Sequence, residues 1–131
     1  MREYRIYDNE LKEYCEEPDY RWMLSRSGKL YNSESDKWHT IGDRFIIEFS
    51  TKLTDKNGVK IFEGDVAING KGENVLIKIG EHGIIDEDDE NIYYGVYIEY
   101  NKTKYPFVVG TTTNFIEVIG NIHDNQELLK K

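Results

Sequence analysis

The chain has 131 residues, 32% of them charged and 38% apolar, with seventeen Lys and Arg against twenty-five Asp and Glu for a net charge of −8. A chain of this length forms one domain, or one domain with an N-terminal elaboration, and buries about two thirds of its unfolded surface without disulfides or metals; its composition excludes a disordered polymer. Nucleic-acid binding draws most of its affinity from Lys and Arg on phosphates, and no part of the chain supplies a basic block: eleven basic residues meet fourteen acidic ones through Asp65, and six meet eleven beyond it.

Direct contact with nucleic acid is therefore not expected, and the acidic excess reads first as solubility. Cys15 is the single cysteine, which points to a reducing compartment. The N-terminal residues lack the apolar core of a signal peptide, and no apolar run approaches the ~18 residues of a membrane-spanning helix. The expected location is the cytoplasm, with no membrane contact.

In chain order, Tyr4-Arg5-Ile6-Tyr7 reads as a short strand ending in a turn at Asp8-Asn9. Residues 10–19 are acidic and irregular, punctuated by Pro18-Asp19. Residues 20–24 and 29–31 suggest a hairpin around Ser27-Gly28. A polar loop at 32–36 leads to two more β segments, 38–41 and 44–49, around Gly42-Asp43.

Residues 53–69 carry two turn signals, one at Asp55-Lys56-Asn57-Gly58 and one at Glu63-Gly64-Asp65. Asn57-Gly58 accepts positive φ at little steric cost, and Val59, Ile61 and Phe62 fill the space between the bends. At the second bend Gly64 takes a backbone conformation that a β-carbon would oppose, and Asp65 accepts backbone N–H groups across it. Pairing Glu63 with Asp65 as acid and base finds no apolar enclosure in the sequence that would raise one pKa.

Beyond the bend, residues 75–79, extended by 83–85, read as a β-branched strand, and residues 86–91 as a solvated acidic tip. The longest strand candidate spans 92–100; a turn at Asn101-Lys102 returns it to 105–109, where Pro106 marks an edge, and 115–122 is the last strand. About five strands thus follow the Gly64-Asp65 bend, the count of a small SH3-like barrel. Asp124 and Glu127 resemble a capping box, predicting a short helix over 124–131.

The segment L-T-D-K-N-G-V-K-I-F-E-G-D-V resembles the hallmark of the YopX family, small proteins encoded by phages and prophages of Gram-positive bacteria. The opening Met1-Arg2-Glu3 and the closing run 118–129 agree with it. Two departures stand out: Phe49-Ser50-Thr51-Lys52-Leu53 replaces the family's Tyr-x-Gly-Leu approach, and Gln126 stands where the family has proline. The resemblance implies a mainly β fold with an SH3-like small barrel in the C-terminal part, and a function uncharacterised for the family. The residues matched as structural hallmark are Asp55, Asn57, Gly58, Phe62, Glu63, Gly64 and Asp65. The resemblance carries no catalytic residue with it.

Chemistry is sparse along the chain. His39, His82 and His123 lie too far apart for the usual metal-ligand spacing. The acidic run from Asp86 to Glu90 lacks the turn glycine and distal glutamate of an EF-hand, Gly70-Lys71-Gly72 is too short for a phosphate loop, and no nucleophile elbow occurs. No catalytic residue, metal or cofactor is expected. Ten tyrosines are many for this length, and Tyr93, Tyr94, Tyr97 and Tyr100 on one strand, with Leu128 and Leu129 in the tail, form a candidate interface. The reading is an N-terminal β region over 1–52 and an SH3-like barrel over 53–131, a non-catalytic phage or prophage accessory module that self-associates as a homo-oligomer and engages a host or phage protein. The alternatives are an acidic decoy of a host nucleic-acid-binding protein and an unrecognised metal-dependent hydrolase.

Overall fold

The computed structural model describes residues 3–15, 22–85, 90–107 and 112–129, with strand residues 82–85 and 90–93 described by backbone alone. The chain is mainly β and divides into two compact units, Met1–Phe49 and Ser50–Lys131, beside the 52/53 boundary expected from the sequence.

In the first unit, β1 (Tyr4–Asp8) pairs antiparallel with β2 (Glu13–Tyr14) and with residues 45–49 of β6 (Phe45–Thr54). Between them β3 (Trp22–Leu24), β4 (Lys29–Asn32) and β5 (Lys37–Thr40) form a three-stranded meander. Apolar residues from both groups, Ile6, Leu30 and Phe45, close the core, with Trp22, Ile41 and Ile47 packed against them. Asp8 is buried at the end of β1, and Arg44 grips it in a fork, Nε to Oδ1 and Nη2 to Oδ2, both at 3.0 Å. The Arg44 hydrogen bonds, helped by the N–H groups of Leu11 and Glu10, outweigh burial and hold the Asp8 carboxyl below the usual carboxylate range. Half-buried Cys15 packs on the same core, and burial, with the nearby Asp8 charge, pushes its thiol up.

In the second unit, residues 53 and 54 of β6 pair with β7 (Lys60–Phe62), after a bulge between Ser50 and Leu53 where Lys52 has φ 67°. The Gly64-Asp65 bend launches β8 (Asp65–Ile68), followed by β9 (Asn74–Ile85), β10 (Glu90–Tyr100), β11 (Thr103–Pro106) and β12 (Glu117–Asn121). These five strands form a curled antiparallel sheet in the order β11-β10-β9-β8-β12, the barrel-like architecture the sequence implied. Its core is Ile61, Ala67, Val75, Ile77, Ile98 and Ile116, and Val66, Leu76 and Tyr97, which alternate with them on the other face of their strands, are buried as well.

Several boundaries differ from the sequence reading. β9 runs unbroken through Gly80, which faces Gly95 of β10; the long ladder between the two strands overrides the weak strand preference of glycine. Glu90 and Asn91, expected in an acidic tip, pair with Ile85 and Ile84, while residues 86–89 lie outside the described residues. Phe115 sits in a turn before β12, not in the strand. The C-terminal helix contracts to one 3₁₀ turn, Gln126–Leu129. The Asn121 side chain accepts the N–H groups of His123 and Asp124 and donates to the Asp124 carboxylate, so Asp124 closes a turn instead of capping a helix. Lys130 and Lys131 lie outside the described residues.

Gly64 has φ 88°, while its N–H donates to Ile77 and its carbonyl accepts from Ile122, each at 2.8 Å. A side chain there meets left-handed strain of ~1–2 kcal/mol. Gly64→Ala is expected to lower the urea unfolding free energy by about that amount, whereas Gly95→Ala, which has open space and no positive φ, shifts the midpoint much less.

Candidate functional site

The hallmark residues form two clamps on the last strand. Asp55 is buried, and its carboxylate accepts three backbone N–H groups: Asn57 and Val59 on Oδ1 and Val118 on Oδ2, each at 2.9 Å. The first two bonds shape the Asn57-Gly58 turn, where Gly58 has φ 80°; the third fastens that turn to β12. Lys56 adds a backbone bond to Ile116, and Asn57 Nδ2 reaches Glu117 Oε1 at 3.3 Å. At the second bend, Asp65, almost fully buried, accepts the Phe62 N–H at 2.8 Å. Phe62 and Glu63 are half-buried beside it. The hallmark thus spends its buried carboxylates on backbone donors.

The clamps also close a sheet edge. Among the described residues β12 pairs with β8 on one side only, yet its Val118 and Asn121 N–H groups are taken by Asp55 and by Asn125 Oδ1. At the opposite edge β11 ends in Pro106, which has no N–H, and carries exposed Lys104. Both devices oppose edge-to-edge pairing with another chain.

The tyrosines of β10 do not act as one patch. Tyr94 is 75% exposed. Tyr97 is only 6% exposed, with the Lys104 ammonium 5.3 Å from its ring centroid, so it belongs to the packed interior and offers no docking surface. Tyr100 packs against the core, and the side chain of Tyr93 lies outside the described ones. Leu128 and Leu129 are half-buried on their own unit: the Leu128 carbonyl accepts from Asn74 Nδ2 at 3.0 Å, and both leucines line a cleft of about 520 Å³ with Leu76 and Tyr100. Alternation along β10 sets Tyr97 on the face opposite Tyr94 and Tyr100, and of those two only Tyr100 lies where the core covers the strand.

Two surfaces emerge that the sequence reading did not single out. In the second unit a cleft of about 440 Å³ is lined by Val75, Ile98, Tyr100, Tyr105, Pro106 and Phe115, with Asn69 and Glu73 at its polar side. Phe115 is 62% exposed there, and its Cβ lies 3.3 Å from where a side chain at Gly70 would begin. In the first unit Met23, Tyr31 and Trp38 stand in cross-strand register on one face of the meander. The Ser27-Gly28 signal announces that β3 pairs with β4, but the Met23–Tyr31 register is set by the three-residue loop 26–28, closed by the Ser25 N–H on the Lys29 carbonyl at 2.8 Å. Among the described residues no three His, Cys, Asp or Glu side chains are grouped to hold a metal ion, and no helix is long and apolar enough to cross a membrane.

Burial opposes ionisation of Asp55, but the N–H groups of Val118, Val59 and Asn57, with Lys56 nearby, prevail and hold its carboxyl below the usual range. A group with a depressed native pKa stabilises the fold fully above its unfolded value, near ~4, and that contribution is lost as pH falls through the native value. Thermal melts between neutral and strongly acidic pH are expected to show this loss setting in below about pH 4. Asp55→Asn, whose amide turns a donor toward one of these N–H groups, lowers stability at neutral pH by ~2–3 kcal/mol and flattens the acid dependence.

The chain matches the model of the family described as YopX protein over residues 3–130. Among solved structures it is similar to protein EF1440 from Enterococcus faecalis, with 21% identity, 99% of each chain covered and a TM-score of 0.50, a likeness of fold. No curated protein matches it. With the match spanning nearly all of the chain, and the hallmark turns resolved as the clamps of the C-terminal sheet, the protein belongs to the YopX family.

Proposed function

We propose that this YopX-family chain is a non-catalytic protein-interaction module of a phage or prophage, working in the host cytoplasm, where it self-associates and engages a second protein. The observation that carries this reading is the cleft around Tyr100, Tyr105, Pro106 and Phe115. Apolar rings left in water gain by meeting an apolar partner, and both edges of the sheet are blocked against the commonest alternative contact. Tyr105 offers contact area with a polar tip, a combination enriched where proteins meet. The carboxylates nearest the hallmark, Asp55 and Asp65, are committed to backbone N–H groups, which supports a structural role for them over acid–base work.

The net charge of −8 favours a second reading, occupation of a basic nucleic-acid-binding surface of a host protein. Salt separates the two, because exposed charge pairing weakens with ionic strength and apolar contact does not.

Light scattering across a concentration series, paired with affinity capture of host proteins at low and high salt, tests the proposal. The expected result is a discrete oligomer or a retained partner that survives high salt and is lost in Phe115→Asp, an exposed change that costs an interface anchor ~2 kcal/mol or more. A partner released by salt and indifferent to Phe115→Asp transfers support to the acidic-decoy reading. A monomer with no retained partner, unchanged by the substitution, overturns both.

A further inference from the structure

The three-stranded meander of the first unit has an inner and an outer face. Leu30 and its cross-strand partners Leu24 and His39 lie on the inner one, where Leu30 is fully buried and the His39 ring stands 4.9 Å from that of Phe45. Met23, Tyr31 and Trp38, one residue out of step, occupy the outer face and face each other across the strands. Met23 is 52% and Trp38 60% exposed. The Tyr31 and Trp38 rings lie 4.9 Å apart, inclined by 42°. Burying apolar groups of this size would be favourable by ~1.5–3 kcal/mol each, yet the fold leaves them in water.

The rim of this row is polar and fixed. Asn32 Oδ1 accepts the N–H groups of Glu34 and Ser35, Asp36 takes φ 53°, and its carboxylate accepts the Tyr31 hydroxyl at 2.6 Å. This turn end carries Glu34 and Asp36, while the other end of β4, with its turn, carries Lys29 and Arg26. That carboxylate also pushes the Tyr31 hydroxyl pKa up, keeping it a donor.

We propose that the Met23–Tyr31–Trp38 face binds a proline-rich peptide segment in the extended polyproline conformation, with a basic residue of the peptide meeting Asp36. Three neighbouring strands place the row over ~10 Å, which about three residues of a polyproline helix cover at ~3.1 Å each. Proline suits the face because it brings no N–H, so no backbone donor is left unpaired over Met23 and Trp38. Its ring stacks on aromatic planes, and its conformation is set before binding. A sugar brings several hydroxyls to a face whose fixed polar contact is one carboxylate. A nucleic acid brings phosphates toward Asp36 and Glu34 on a chain of charge −8.

The test is a titration of the intact protein, followed by tryptophan emission and by calorimetry, with a synthetic decapeptide of prolines interrupted by arginines. Parallel titrations use the same peptide with glutamates for arginines, a single-stranded oligothymidylate and a soluble oligosaccharide. Saturable binding of the proline–arginine peptide is expected, weakened about tenfold in Trp38→Ala and severalfold in Asp36→Asn or by glutamate replacement. Met23→Lys is a second variant at the end of the row, with no ring contact to lose, and is expected to weaken binding while leaving the thermal midpoint close to that of the parent. Absence of saturable peptide binding, tighter binding of the oligothymidylate or the sugar, or affinity unchanged in both Trp38→Ala and Met23→Lys overturns the proposal.

Discussion

The C-terminal unit depends on one carboxylate accepting three backbone N–H groups. Asp55 closes its own turn with two of them and seizes Val118 with the third, 63 residues further along the chain. Each such bond to a charged acceptor is stronger than a neutral one, and together with the nearby Lys56 charge they outweigh the burial that opposes ionisation. One side chain thus ties the turn and the last strand together. The Gly64 bend repeats the idea with backbone groups alone, binding Ile77 on one side and Ile122 on the other. Between them the two bends bring the end of the chain back onto β8 and protect an edge that would otherwise be open.

That economy explains why the family's hallmark carries acids without evident chemistry. Asp55 and Asp65 are almost wholly shielded from water, and their oxygens are directed at main-chain donors. Asp8 follows the same logic in the other unit, where the Arg44 fork and two backbone N–H groups consume it. The groups left for other molecules are instead apolar and aromatic: Phe115 and Tyr105 around one cleft, Met23 and Trp38 on one sheet face. Those exposed rings, with the carboxylates of the bends turned to main-chain donors, are what supports the proposed binding role.

Much of the fold was legible in the chain because the signals were local. Asn57-Gly58 and Gly64-Asp65 announce turns through the conformations those residues tolerate, and alternation of β-branched residues marks the strands that follow. The turn at Ser27-Gly28 likewise pairs β3 with β4. The C-terminal tail misled because Asp124 and Glu127 have helix-capping spacing, while Asn121, outside that pattern, claims the local N–H groups. Gly80 looked like a boundary, yet a partner strand of matching length carries β9 through it to the extension at 83–85.

What the sequence by itself determined was the β class, the two hallmark bends and the membership they signal, since each rests on residue types and short spacings. Only the tertiary structure decided which aromatics meet water. Tyr94, Tyr97 and Tyr100 share a strand and a residue type, yet one is exposed, one is buried beneath Lys104 and one leans on the core. Strand parity separates neighbours onto opposite faces, but which face is covered depends on strands and loops distant in sequence. The same holds for Asp55, whose turn is written in residues 55–59 and whose third hydrogen-bond donor is supplied by β12.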